Sequence, residues 1–439
     1  MRGGTNTSLT HKSYNTLIKT NQGQTMKTLS ILLSTAVAGI LLSGCGSSST
    51  TDTTALVTSG QLVDSYVANA DYTCADGSTG VTDTNGSFTC KTLPVSFRLG
   101  GLKLGEIAQV PDDRQVFPQD LAGVNRADVN NSTVLAMARF LQSCDDDNDT
   151  KNGIKIREQV RAAFEDANVT FNADDLDAYA ENANITLKDA NDSLEHLSQT
   201  TAFVESVDSV ERLPENVREA LLTPASTLTQ EVKNTLAYMG NEERLAYDVY
   251  NYLYDFHAQK GEDIKQLTNI ATKAEYTHIQ TVQLLVQKYI TSPDEFTNVD
   301  REELGYKDTN ISNMQAGTYD IQAIQNLYDA LTAKGEESKQ AALEVGCMVE
   351  VTDINDLLAD IQSAKDSNAT DVTTAFEFLR DGSYSHYWAF DKGLKNMGVS
   401  DGCCVLGSEY CHPEYPQNEN AGGNGKGEKD GHGQQRGKK

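Results

Sequence analysis

The sequence predicts a mainly α-helical protein. A small antiparallel β-module and an acidic, mostly helical region lead into four long helices, expected to close into an antiparallel bundle. Three observations predict this. Residues 57–105 alternate Val, Tyr, Phe and Thr between Asp-Gly and Asn-Gly turns, the pattern of short hairpin strands. Residues 106–225 mix helical spacing with an excess of acids. From about residue 226 to 400, apolar positions recur with helical period over long stretches separated by short polar breaks.

The front of the chain sets the expected compartment. Residues 1–45 contain Arg2, Lys12, Lys19 and Lys27 and no acid. From Met26, "MKTLSILLSTAVAGILLSGC" carries one lysine, then an apolar run, then Leu42-Ser43-Gly44-Cys45. That run is short for a membrane span, and its small-residue end suits export. The stretch resembles a signal peptide ending in a bacterial lipobox. The resemblance implies that Cys45 becomes the lipidated first residue, anchored by acyl chains; an uncleaved membrane helix is the alternative. Gly46 follows, with no aspartate, which implies the outer membrane of a Gram-negative envelope. Residues 46–56 read as a flexible polar tether.

The chain has 36 Lys and Arg against 63 Asp and Glu, a net charge of −27. Such a surface repels nucleic acid, so no nucleic-acid partner is expected, and it attracts cations in general. Apart from Cys45, the cysteines are Cys74, Cys90, Cys144, Cys347, Cys403, Cys404 and Cys411. The number is odd, so at least one lacks a partner within the chain. Their use suits an oxidising compartment.

In the β-module, Cys74 and Cys90 flank the turn region "DGSTGVTDTNG", and a disulfide between them is expected. The piece resembles the small β-sandwich modules of surface lipoproteins, and it reads as a spacer without a ligand. In the acidic region, "NNSTVLAMARFLQSC" predicts a helix capped at Ser132, with Val134, Met137, Ala138 and Leu141 on one face. It runs into "DDDNDTKNGIKI", where Asp145, Asp147 and Asp149 alternate as in the first half of a calcium loop. Thr150 stands where that loop needs glycine and Ile156 where it needs glutamate, so either a weak Ca²⁺ site or a solvated turn is expected. No nucleophile–base arrangement is present there.

Long helices are predicted over about Thr229–His257, Ile264–Tyr289, Ser338–Ile361 and Asp371–Met397, with a shorter one over "DIQAIQNLYDALTAKG". Their acids and histidines repeat. Glu243 precedes Glu275 and His278 by 32 and 35 residues; Glu350 precedes Ser383 and His386 by 33 and 36. Each helix pair therefore delivers an acid and then a position x-x-His. "EERLAYDVY" sets Glu243, Ala246 and Tyr250 in a Glu-x-x-Ala-x-x-x-Tyr pattern. Together with "AEYTHIQTVQLLVQKY", "LEVGCMVEVTDINDLL" and "GSYSHYWAF", this resembles the ferritin-like di-iron carboxylate superfamily, in a branch known as a domain of unknown function and related in pattern to rubrerythrins.

That resemblance implies a metal set of Glu243, Glu275, His278, Glu350, Asp353 and His386, holding two irons or an iron–manganese pair. Ser383 departs from the pattern, since the fourth helix should carry glutamate there. Asp353, three residues after Glu350, is the candidate replacement, as rubrerythrins also place two acids three apart on that helix. Residues three apart share a helix face, and four clustered carboxylates would repel without cations between them. Glu242 reads as a surface charge. Tyr250, Tyr276 and Trp388 read as core packing, with Tyr250 able to line the site.

After Met397, "DGCCVLGSEYCHPEYP" crowds three cysteines and His412 with no zinc spacing; disulfides are expected, with Cys347 able to join one of them. The end, "NENAGGNGKGEKDGHGQQRGKK", reads as disordered, with His432 idle. The implied function is an envelope-anchored di-metal protein, either an O₂- or peroxide-reactive oxidoreductase or a metal-handling protein. The competing expectation is a non-enzymatic surface lipoprotein whose bundle binds a partner around a structural or decayed metal site. No Cys-x-x-Cys pair of rubredoxin type is present, and the residues identify neither a redox partner nor a substrate.

Overall fold

The computed structural model describes residues 58–290, 315–319 and 321–417. The leader with Cys45, the tether and the glycine-rich end with His432 lie outside the described residues. Among the described residues helix dominates, and the strands are confined to the N-terminal part. The chain divides into two compact units, the first ending at Ala202 and the second beginning at Phe203.

The first unit contains β1 (Thr58–Leu62), β2 (Val67–Ala68), β3 (Asp71–Cys74), β4 (Thr79–Val81), β5 (Ser87–Cys90), β6 (Val95–Leu99), β7 (Leu102–Ile107), β8 (Gln115–Val116), β9 (Ile154–Lys155) and β10 (Val169–Thr170). One sheet runs β5–β1–β8, a second β10–β7–β6–β3–β4, and β2 pairs with β9. The hairpin-type pairs are antiparallel, as the turns predict. The module is not purely antiparallel, however, and it does not end near 105. β8, β9 and β10 come from the stretch read as helical, and each pairs in parallel. Two-residue strands show no alternation to read, and parallel partners arrive from distant sequence.

Alternation is clear where strands are longer. In β6, Val95, Phe97 and Leu99 are buried while Ser96 and Arg98 are not. They pack with Phe88, Leu102 and Phe140 into one core. The Cys74–Cys90 disulfide is present, with a Cα–Cα distance of 5.6 Å, and it ties β3 of one sheet to β5 of the other.

Around this core lie α1 (Pro118–Ala122), α2 (Ser132–Ser143), α3 (Glu158–Ala163) and α4 (Leu176–Ala183), while α5 (Ala190–Asp208) carries the chain into the second unit. The predicted face of α2 is buried, but its cap is Asn131 rather than Ser132. The Asn131 carboxamide oxygen accepts from the backbone N–H of Thr133 at 2.9 Å and of Val134 at 3.4 Å, satisfying two orphan donors of the first turn.

The second unit contains α6 (Glu215–Leu221), α7 (Gln230–Ala258), α8 (Lys265–Ile270), α9 (Tyr276–Tyr289), α10 (Gln322–Gly335), α11 (Lys339–Asp366) and α12 (Thr370–Asn396). Thr229 caps α7 and Ser338 caps α11 through their hydroxyl oxygens. Asn368, at φ 55°, stops α11 in the left-handed conformation that commonly ends helices. α12 then returns along α11, pairing Lys365 with Glu377, Asp353 with Ser383 and Gly346 with Phe390. A Cβ at residue 346 would collide with the Phe390 ring, so glycine lets the two helices approach there. α7 and α9 also run antiparallel, with Gly240 facing Val282 and Glu243 facing His278.

Beyond α12, Cys403 bridges back to Cys347 on α11, and Cys404 bridges to Cys411. Cys144 is a buried free thiol, which accounts for the odd count. The Trp388 indole N–H donates to the carbonyls of Tyr415 and Pro416, so this half-buried ring holds the C-terminal segment rather than filling a core. Two further readings are corrected. Glu242 is buried rather than a surface charge, because its part of α7 is covered on nearly all sides. Tyr276 is exposed rather than core, because it points away from the adjacent Glu275. Among the described residues, no helix is long and apolar enough to cross a membrane.

Candidate metal centre

Five of the six predicted ligands converge inside the second unit. Oxygen and nitrogen atoms of Glu243, Glu275 and His278 lie within 4.8 Å of one another, and so do those of Glu275, Glu350 and His386. The two triads share Glu275. All five residues are buried.

The local sequence explains how each side chain arrives. Glu243 and Tyr250 are two turns apart on α7, and Glu350 sits one turn beyond Cys347 on α11. Between α8 and α9 the backbone widens into a π-helical turn, Ala271–Glu275, closed by the Tyr276 N–H donating to the Ala271 carbonyl. Such turns re-aim side chains and recur at functional sites. Here the last residue of the turn is Glu275 itself, and His278 follows on the same face.

Glu275 divides its carboxylate between the triads. Its Oε2 lies 3.1 Å from His278 Nδ1, and its Oε1 lies 3.0 Å from His386 Nδ1. Glu243 Oε2 is 3.2 Å from His278 Nδ1, and Glu350 Oε2 is 3.3 Å from His386 Nδ1. Both imidazoles thus present Nδ1 to the acids, with ring centroids 5.5 Å apart. The Tyr250 hydroxyl, fully buried, donates to Glu350 Oε1 at 2.5 Å, so this tyrosine lines the site as well as packing.

Burial and mutual charge set the protonation of these groups. Burial pushes the Glu243 carboxyl up to about 7, against the pull of His278. Burial also raises Glu275, but His386 and His278 outweigh it and hold that carboxylate below its usual range. Burial opposes charge on both imidazoles, yet Glu275 and Glu350 hold His386 up at about 10, and Glu243 and Glu275 keep His278 well above its ordinary value. Burial raises Glu350 against the pull of His386, with Glu275 adding to the rise, and burial followed by the charge of Glu243 raises Asp353.

Asp353 stands apart from both triads. It accepts a hydrogen bond from Ser383 Oγ at 2.6 Å, and it is close enough to Glu243, Glu350 and Glu275 to feel their charge. Ser383 is buried and also lies 3.0 Å from the Leu379 carbonyl. The residue in the place of the fourth-helix glutamate therefore orients an acid from the neighbouring helix.

The sequence reading missed Gly382. A Cβ there would lie 2.5 Å from His278 Nε2, so only glycine leaves room for that imidazole, which Phe378 meets edge-on with centroids 5.3 Å apart. Glycine inside a helix costs about 1 kcal/mol relative to alanine, and that local cost was the one available signal.

Three atoms test whether a metal pair fits. Glu243 Oε1, Glu275 Oε1 and His386 Nδ1 are buried and make no well-aligned hydrogen bond, although the last two face each other at 3.0 Å as a charge pair. Each such group costs about 1–3 kcal/mol if left unmet. All three belong to the triads, and carboxylate with imidazole is a donor set suited to iron or manganese. The residues fit the group.

Residues 232–409 match the family described as an uncharacterized protein domain (DUF2202). The chain is 31% identical over 175 residues to an uncharacterized protein, MJ0754, of Methanocaldococcus jannaschii, covering 40% of this chain and 81% of that protein. It is also similar to the crystal structure of the hypothetical protein MJ0754 from Methanococcus jannaschii, at 31% identity and a TM-score of 0.32, over 40% of this chain and 86% of that one.

Proposed function

The chain belongs to the family of the uncharacterized DUF2202 domain, and from there we propose that its second unit is a ferritin-like four-helix bundle that binds two divalent metal ions. The observation that carries this reading is the sharing of Glu275 between two buried Glu/His triads. One ion would be held by Glu243, His278 and Glu275, the other by Glu350, His386 and Glu275. Two irons, or iron with manganese, supply one-electron chemistry towards O₂ or peroxide when bound. The protein is then an oxidoreductase of ferroxidase or peroxidase type, or a metal-handling protein.

The chain's own residues do three things in this reading. Glu275 would serve both ions, because its two oxygens already face the two imidazoles. Tyr250 occupies one oxygen of Glu350 and so turns the other toward His386. Phe378 meets the His278 ring edge-on and Phe390 packs on Tyr250, and the five acids and imidazoles lie buried among such residues, which strengthens each charge interaction inside. The leader motif further supports anchoring of the mature protein to the outer membrane through acylated Cys45.

Metal analysis of protein purified without chelator tests the centre, followed by anaerobic titration of the stripped protein with ferrous iron. Two equivalents should bind, and admitting O₂ should produce ferric absorption. Uptake no greater than that of Glu275→Ala would overturn the reading in favour of a metal-free bundle that binds a partner. Retention of two ions with no response to O₂ or peroxide would leave a structural metal site. Cys45→Ala should move the protein from the detergent phase to the aqueous phase; unchanged partitioning would refute the anchor.

A further inference from the structure

The acidic loop of the first unit has a geometry that the di-metal reading does not use. α2 ends at Ser143, and the chain passes through Asp145, Asp146 and Asp147 before a 3₁₀ turn at Thr150–Asn152. One carboxylate oxygen from each of these three aspartates lies within 4.8 Å of the others. Asp146 and Asp147 are exposed, whereas Asp145 is only 1% exposed.

The decisive atom is Asp145 Oδ2. Its partner Oδ1 accepts the Lys155 backbone N–H at 2.9 Å, but Oδ2 is shielded from solvent and has no hydrogen-bond donor. The Asp147 carboxyl lies close enough to Asp145 to raise its proton affinity, after burial, which is the larger cause. A buried carboxylate oxygen with no donor, in a cluster of three acids, is unfavourable unless a proton or a metal cation meets it, and two exposed acids at this distance favour the cation.

We infer that Asp145, Asp146 and Asp147 bind one calcium ion, with the buried Oδ2 of Asp145 as the inner ligand and the two exposed aspartates closing from the solvent side. Asp147 can serve while keeping its other contacts. Its Oδ1 accepts the Asp149 N–H at 2.8 Å and its Oδ2 accepts from the Asn152 amide at 2.9 Å, each using one of two lone pairs. Lys155 Nζ lies 2.7 Å from Asp146 Oδ2, but both side chains are exposed, so that pair contributes little and yields to a divalent ion. Asp149 is not in this set; it caps the 3₁₀ turn by accepting the Lys151 N–H at 3.2 Å. Calcium rather than magnesium suits an all-oxygen site of irregular geometry completed by water. The ion would clamp the end of α2 to β9, where Asp145 already bridges to Ile156.

Calorimetric titration of the full, metal-stripped chain with calcium chloride tests this, in wild type and in Glu275→Ala, which silences the other centre. One equivalent should bind in both, with a dissociation constant of about 10⁻⁴–10⁻³ M. Asp145→Asn and Asp147→Asn should each weaken it at least about tenfold, an energy change of about 1.4 kcal/mol. Lys155→Ala should leave it equal or tighter. Absence of binding at several millimolar calcium, equally tight binding of magnesium, or binding unaffected by Asp147→Asn would overturn the assignment. Asp147 is exposed, so that variant decides the matter even where Asp145→Asn does not fold.

Discussion

The two acid clusters of this protein place their unmet bonds differently. In the loop after α2, most carboxylate oxygens already hold a backbone N–H, an amide or a lysine, and a single buried one, Asp145 Oδ2, is left over. In the second unit the acids sit among helices, where backbone donors are consumed by the helices themselves. In the two triads, Glu243 Oε1, Glu275 Oε1 and His386 Nδ1 make no well-aligned hydrogen bond, although the last two face each other at 3.0 Å as a charge pair. Clustered acids alone therefore say little. What distinguishes the two clusters is how many buried lone pairs the backbone cannot reach.

Glu275→Ala should break the comparison most completely. It removes the one residue common to both triads, so iron uptake should fall from two equivalents to less than one, measured by anaerobic titration. Glu243→Ala should instead leave about one equivalent, because the Glu275, Glu350 and His386 triad survives it. Equal losses in the two variants would show that the triads do not act as separate positions.

Gly382→Ala probes the packing behind the site. A Cβ 2.5 Å from His278 Nε2 forces the imidazole to move, and overpacking of this kind costs about 1–3 kcal/mol. Urea denaturation should show that loss, and ferrous titration should show the ion at His278 weakened more than the ion at His386. A stable variant with both ions intact would mean that the ring has room the geometry does not indicate. Tyr250→Phe is milder. It removes the hydrogen bond to Glu350 Oε1 and should lower stability by about 1 kcal/mol in the same assay, while metal uptake persists. The smallest effect belongs to the loop. Without calcium, Asp147→Asn should change stability by less than about 0.5 kcal/mol, since an exposed aspartate there supports only local turns. A larger loss would make the loop a structural element in its own right.

Much of this was legible in the residues. The long helices show their period, and the Glu-x-x-His spacing puts Glu275 and His278 on one face whatever surrounds them. Cys74 and Cys90 bracket a turn, so their pairing follows from local geometry. Other features depend on contacts between distant residues and left no local mark. The parallel pairing of β8, β9 and β10 was decided by where two-residue segments meet β1, β2 and β7, which lie far away in sequence. Cys347 met Cys403 rather than Cys404 or Cys411 only because the segment after α12 folds back on α11. Glu242 looked like a solvated neighbour of Glu243, and burial of that stretch of α7 made it an interior residue. Ser383 read as a missing ligand, and the approach of α12 to α11 turned it into the hydroxyl that orients Asp353. Sequence by itself determined what each segment could become, because periodicity and turn chemistry act within a few residues. Only the tertiary structure decided which lone pairs stay unsatisfied, because that depends on what every other segment has already covered.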